Sequence, residues 1–95
     1  MGVPVARVKI RLVSLLREAV EGRREVELEL GGDKATLGEV IDKLFKEYPR
    51  LKNLVEELEE RGLAVIYTVN GRSASRDTIV SDSDEIAILP PASGG

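Results

Sequence analysis

Asp84-Glu85-Ile86-Ala87-Ile88-Leu89-Pro90-Pro91-Ala92-Ser93-Gly94-Gly95 runs from an apolar strand through a double proline into a diglycine without a spacer. Ile86 and Ile88 fall on one face of the strand, and Ala87 and Leu89 on the other. The prolines fix their own backbone angles, and Pro91 pushes Pro90 toward extended geometry, so neither helix nor ladder continues past Leu89. Gly94 and Gly95 carry no side chain and fit a channel too narrow for any other residue. Six residues, Pro90 to Gly95, at roughly 3.3–3.6 Å each reach about 20 Å, enough to bring the carboxyl group of Gly95 into a pocket of another protein. A frayed terminus or linker remnant would not need that order of strand, prolines and glycines.

The remainder of the chain supplies a domain to hold this strand. Val8, Ile10 and Leu12 alternate with Arg7, Lys9 and Arg11, and Val26, Leu28 and Leu30 alternate with Glu25, Glu27 and Glu29. Each run reads as a half-buried strand. Paired antiparallel, they set a basic row against an acidic row on the solvent face, worth roughly 0.2–1 kcal/mol per pair. Ser14 to Gly22 is long for a hairpin turn and predicts a short helical turn capped by Gly22. Gly31-Gly32-Asp33-Lys34 reads as a connector, since the glycine-spaced Lys-Ser/Thr pattern of a phosphate loop is missing.

Thr36-Leu37-Gly38-Glu39 has the spacing of a capping box. Leu37, Val40, Ile41, Leu44, Phe45 and Tyr48 follow at helical spacing up to Pro49, the main core helix. Leu51, Leu54, Val55 and Leu58 predict a second, shorter helix ending near Gly62. Its Glu56, Glu57, Glu59 and Glu60 read as a solvated face rather than as paired catalytic carboxylates. Leu63 to Val69 reads as a strand covered on both faces, Asn70-Gly71 as a hairpin turn, and Thr78 to Val80 as a short edge strand. Two strands, helix, then two or three strands is an α+β order: a mixed four- to five-stranded sheet covered on one face by a main helix. The β-grasp arrangement of ubiquitin has this order, with first and last strands as parallel neighbours. The expected organisation is a single domain over 1–95 with a flexible tail at 90–95.

Composition narrows the chemistry. The chain has no cysteine and no histidine, which leaves no thiolate, imidazole base or ordinary transition-metal ligand set, and no metal site is expected. Net charge is -3, with one Phe, two Tyr and no Trp, against a nucleic-acid partner. No apolar run approaches membrane-spanning length, and residues 1–5 lack the layout of a secretory signal. The expected location is cytoplasmic, with no membrane partner.

Val69-Asn70-Gly71, Ser81-Asp82-Ser83-Asp84-Glu85-Ile86-Ala87 and Pro90-Pro91-Ala92-Ser93-Gly94-Gly95, with Arg17-Glu18 after the first strand, make the chain resemble the ubiquitin-like sulfur carriers, and among them the small subunits of molybdopterin synthase. It departs from those subunits in having Ile88 and Leu89 where aromatic residues are frequent. The resemblance implies that an adenylating enzyme like the ubiquitin-activating enzymes uses ATP to join Gly95 to AMP. Sulfur then displaces AMP, leaving a covalent thiocarboxylate at Gly95, with no intrinsically bound cofactor and no catalytic residue beyond the tail. It also implies that the tail enters the molybdopterin synthase large subunit and gives sulfur to a pterin precursor in molybdenum or tungsten cofactor biosynthesis.

On this reading Gly95 is the chemical site and Gly94 the steric requirement, while Pro90 and Pro91 stiffen the tail's base. Leu89 and Ala87, with Ile66 or Val69, form an apolar docking patch, and Asp82, Asp84 and Glu85 meet arginines of the activating enzyme. Three alternatives stay open: a carrier for thiamine or tRNA thiolation, a ubiquitin-like modifier joined to lysines through Gly95, and an interaction module with an inert tail.

Overall fold

The alternating strands pair as their charges dictate. In the structure of the protein, a computed structural model describing residues 5–91, β1 (Arg7–Leu12) and β2 (Glu25–Glu29) are antiparallel. Their register sets Arg7 opposite Glu29, Lys9 opposite Glu27 and Arg11 opposite Glu25. One of these pairs closes as an ion pair, Arg7 to Glu29 at 3.2 Å. Val8, Ile10, Leu12, Val26 and Leu28 are buried on the other face.

The connection between them is a 3-10 helix, Ser14–Val20, which buries Leu16 and Val20. Its cap differs from the expected one. Glu21 itself takes the left-handed conformation at φ 61°, and Gly22 follows at φ 77° with its N–H donating to the Arg17 carbonyl at 2.7 Å. Two successive positive φ angles reverse the chain, and only the second falls on a residue free of the Cβ penalty.

A short strand, β3 (Lys34–Thr36), stands where a plain connector was expected. The capping box follows as predicted and starts α1 (Leu37–Glu47): the Thr36 hydroxyl accepts from the Glu39 amide at 3.2 Å, and the Glu39 carboxylate accepts from the Thr36 amide at 3.2 Å. Thr36→Ala removes this reciprocal pair and is expected to lower stability by about 1 kcal/mol in urea unfolding. Pro49 ends α1 and opens α2 (Pro49–Glu60), where its missing N–H costs nothing in the first turn. Leu37, Val40, Ile41 and Leu44 of α1 join Leu51 and Val55 of α2 in one core with the buried faces of β1 and β2.

The last third of the chain closes the sheet. β4 (Ile66–Val69) is shorter than expected, and Leu63 ahead of it is exposed. Asn70 at φ 50° and Gly71 at φ 83° turn the chain into β5 (Arg72–Ser73), the two positive angles that a tight hairpin requires. β6 (Ile79–Ser81) is an edge strand as expected, but it pairs antiparallel with β3 in a separate two-stranded sheet. The loop ahead of it is tied to α1: the Leu37 and Gly38 amides donate to the Thr78 and Arg76 carbonyls at 2.7 and 2.9 Å, and Arg76 Nη2 meets Asp42 at 2.6 Å. β7 (Glu85–Leu89) lies between β1, parallel, and β4, antiparallel, giving the order β2-β1-β7-β4-β5. This is the mixed α+β sheet expected, with five strands.

Candidate functional site

β7 is the middle strand of five, hydrogen-bonded on both sides, so its direction fixes where the chain leaves the sheet. Ile86 and Ile88 are buried at 1% and 0% exposure and anchor it to the core. Leu12 pairs with Ile88 and Ile66 with Leu89, so the ladder on both flanks runs to the last residues before Pro90. Pro90 and Pro91 follow, half-buried and outside any strand. Gly94 and Gly95, the residues given the chemical and steric roles, lie outside the described residues.

Register decides which of the expected docking residues share a face. Ile66 is opposite Leu89, and Thr68 is opposite Ala87, so these four look outward with Arg11, the partner of Ala87 on β1. Ile66 is 43% exposed, Leu89 and Ala87 are half-buried, and Val13, extended beyond the end of β1, is 36% exposed. Val69 does not belong to this group. It pairs with Ile86 and packs on the core side, because strand alternation places it opposite in sense to Ile66. The apolar patch at the tail's base therefore uses Ile66 rather than Val69.

The acidic turn sits at the other end of β7, about 16 Å from Pro90 at roughly 3.3 Å per residue, and its side chains have internal partners. Asp82 Oδ1 accepts from the Arg7 amide at 2.9 Å, and Ser83, held at φ 70°, donates its amide to the Arg7 carbonyl at 2.8 Å. Asp84 Oδ2 accepts from the Ser81 amide at 2.8 Å and Oδ1 from Asn70 Nδ2 at 3.1 Å. These bonds, the Ser81 amide foremost, hold the Asp84 carboxyl below its ordinary value of 3.8. Of the three acids, Glu85 alone has a carboxylate with no hydrogen bond or ion pair among the described residues.

Asn70 has a second role that its turn position does not reveal. Its side-chain oxygen accepts from the Glu85 main-chain amide at 3.0 Å while its own main-chain N–H donates to the Glu85 carbonyl at 2.7 Å. One residue thus closes the hairpin and clamps the start of the central strand. The legible signal was the choice of Asn, which tolerates positive φ and also carries both a donor and an acceptor.

Asp84→Ala leaves the Ser81 amide and Asn70 without these partners and is expected to cost about 1–2 kcal/mol at neutral pH. The sign with pH follows from the lowered carboxyl. The folded chain favours the ionised form, so the contribution is present above the ordinary carboxylate pKa and is lost as pH falls through the lower folded value. Denaturation curves of Asp84→Ala and the parent should therefore converge in acid.

Tyr67, on the core side of β4, has its phenol pushed up to about 12, chiefly by burial and then by Glu59, with Arg76 opposing. It remains protonated at neutral pH and supplies no base. Among the described residues there is no cluster of three potential metal ligands, and no helix is long and apolar enough to cross a membrane.

Comparison with known proteins places this arrangement. A profile described as the ThiS family matches residues 10–95. The molybdopterin synthase sulfur carrier subunit of Mycobacterium tuberculosis is 31% identical over 91 residues, covering 94% of this chain and 98% of that one. The solution structure of small archaeal modifier protein 1 from Methanosarcina acetivorans superposes with a TM-score of 0.74 at 36% identity, covering 97% of this chain and 99% of that chain. The crystal structure of the Amycolatopsis orientalis BexX/CysO complex includes a chain matching at a TM-score of 0.69 and 25% identity, covering 93% of this chain and 99% of that chain.

Proposed function

The chain belongs to the ThiS family and is a ubiquitin-like sulfur carrier, and from that premise we propose that it is the sulfur-donating small subunit of a molybdopterin synthase, acting in the cytoplasm through the carboxyl group of Gly95. The observation that carries this reading is the placement of Pro90-Pro91. They leave the end of the central strand beside the outward patch of Ile66, Ala87 and Leu89. A partner covering that patch meets the chain at Pro90 and Pro91, next to the point where it leaves the central strand.

The chemistry needs a partner because a carboxylate is a poor acyl donor. An adenylating enzyme transfers AMP from ATP to the Gly95 carboxylate, releasing pyrophosphate, and the resulting mixed anhydride has AMP as its leaving group. A sulfide-level sulfur nucleophile, hydrosulfide from a donor, attacks the carbonyl carbon and displaces AMP, losing its proton to form the thiocarboxylate. The large subunit then takes up the tail, and the thiocarboxylate sulfur attacks a side-chain carbon of the pterin precursor, forming the C–S bond of a thioester as an oxygen substituent leaves that carbon with the bonding electron pair. Hydrolysis of the acyl link leaves sulfur on the pterin and restores the Gly95 carboxylate. The prolines lower the conformational entropy lost when the tail is threaded. Glu85, with its uncommitted carboxylate, is the best placed of the acidic turn residues to meet an arginine of a partner, while Asp82 and Asp84 shape the turn.

The test is reconstitution. The thiocarboxylated chain, mixed with a molybdopterin synthase large subunit and the cyclic pterin precursor, should yield the dithiolene product, and the unmodified chain should not. The likeness to small archaeal modifier protein 1 favours a second reading, an isopeptide bond from Gly95 to lysines of other proteins. Conjugates that survive reducing denaturation would support it, whereas thiamine or tRNA thiolation would use the same loaded glycine with another acceptor.

A further inference from the structure

The outer edge of β2 is open, and three features of it point to the same ligand. The first is the ladder. Leu30 donates to the Ala6 carbonyl at 2.8 Å and Leu12 to the Arg24 carbonyl at 2.9 Å, and this fixes which residues of the hairpin face each other through hydrogen bonds. In an antiparallel pair that sense alternates, so Val26 and Leu28 spend their main-chain groups on β1, while Glu25, Glu27 and Glu29 aim theirs away from it. β1 is the only strand neighbour of β2 among the described residues. One of the outward groups is covered: the Glu29 carbonyl accepts from Lys43 Nζ at 2.6 Å.

The second feature is charge. The same three glutamates project their side chains from the solvent face, and β1 answers them on the inner side with Arg7, Lys9 and Arg11. On the outer side none of the three carboxylates has an ion-pair partner among the described residues, and the cation that reaches this edge, Lys43, is held by the Glu29 carbonyl. Pairing two β2 edges would set acidic rows against each other, where like charges directly opposite are destabilising, so a second copy docked through this edge is disfavoured.

The third feature is a hollow of about 190 Å³ between β2 and α1, with Leu28, Leu30, Ala35 and Val40 in its lining and Lys43 and Glu39 at its rim. It lies on the core side of the strand, where alternate side chains of an added strand would point. Its volume suits one aliphatic side chain.

We propose that the β2 edge and this hollow form a docking site for an extended peptide of another protein in which Lys or Arg alternates with Val, Ile or Leu. The peptide adds a sixth strand to the sheet: its main chain takes up the free groups of Glu25, Glu27 and the Glu29 amide, its basic side chains face the acidic row, and an aliphatic side chain enters the hollow. It is a copy in trans of the pattern that β1 presents in cis. The site lies two strands from β7 and does not involve Gly95, so its failure leaves the sulfur-carrier reading untouched.

The test is an NMR titration of the 15N-labelled chain with the peptide Lys-Val-Lys-Ile-Lys-Val-Lys, using three comparisons: the peptide with its aliphatic residues changed to Ser, the peptide N-methylated on the main-chain nitrogens of its third to fifth residues, and the Glu27→Lys chain. The expected result is saturable shifts confined to β2 and the facing turn of α1. The Glu25, Glu27 and Glu29 amides should be protected from exchange, and each comparison should weaken binding by about tenfold or more. Absence of shifts at β2 overturns the proposal. Equal binding by the Ser or N-methylated peptide also overturns it, since attraction between charges alone would then account for the shifts.

Discussion

Gly94→Ala is expected to slow both loading of sulfur onto the chain and its delivery by about 10²-fold while leaving the unfolding midpoint unchanged. The reason is steric: a methyl added on the residue next to the one that reacts displaces the chain in any channel shaped for glycine, and displacement of about 1 Å at the reacting carbonyl is enough for a loss of that size. Stability should be spared because the last ladder residue is Leu89 and the core contains nothing beyond it among the described residues. Appending one residue after Gly95 is more severe. It turns the reacting carboxylate into an amide, which cannot form the anhydride with AMP, so ATP-pyrophosphate exchange should fall to background. Wild-type exchange and transfer by Gly94→Ala would contradict the role given to the diglycine.

Ile88→Ala is expected to have the largest effect on the fold. Ile88 is 0% exposed, sits on the middle strand and is flanked by Leu12 on β1 and Tyr67 on β4. Truncation of such a side chain costs 2–5 kcal/mol, about 2 from lost transfer energy and the rest from the cavity left behind. A domain of this size has a stability of about 5–15 kcal/mol, so the change consumes a large share of it. Ile66→Ala provides the contrast. Ile66 is 43% exposed on the outward face beside Leu89, so its loss should cost well under 1 kcal/mol in urea yet weaken binding to the large subunit by about tenfold. The reverse pattern, a stability loss without a binding loss at Ile66, would place that residue in the core and remove the docking patch.

Particular residues show what the sequence made legible. Alternation of apolar with basic residues in β1, and with acidic residues in β2, predicted both strands, their pairing and their outward charge rows, because period and sign agreed. The capping box at Thr36 and the proline at position 49 fixed the helix starts, since each satisfies or removes specific main-chain donors. β3 was missed because three residues, Lys34 to Thr36, are too few to show a period. Its reason for existing is Val80, buried at 0% on β6, a partner 45 residues away from Ala35. The face of Val69 is not legible in the sequence, because the nearly all-apolar run from Leu63 to Val69 lacks the alternation that separates a core face from an outer one. The roles of Asp82 and Asp84 were hidden for a different reason: an acid in a turn looks the same whether it meets water, an arginine or its own main chain. The folded chain brings Asp82 to the Arg7 amide of β1 and turns Asp84 back onto the Ser81 amide three residues earlier.

The central claim is that this domain delivers an activated sulfur on Gly95, and the intact mass of the chain tests it most directly. After incubation with ATP, a cognate adenylating enzyme and a sulfur donor, the mass should rise by the difference between one sulfur and one oxygen, with fragmentation placing the change at Gly95 and no change without ATP. An unmodified mass, with an enzyme proven active on another carrier of the family, would contradict it.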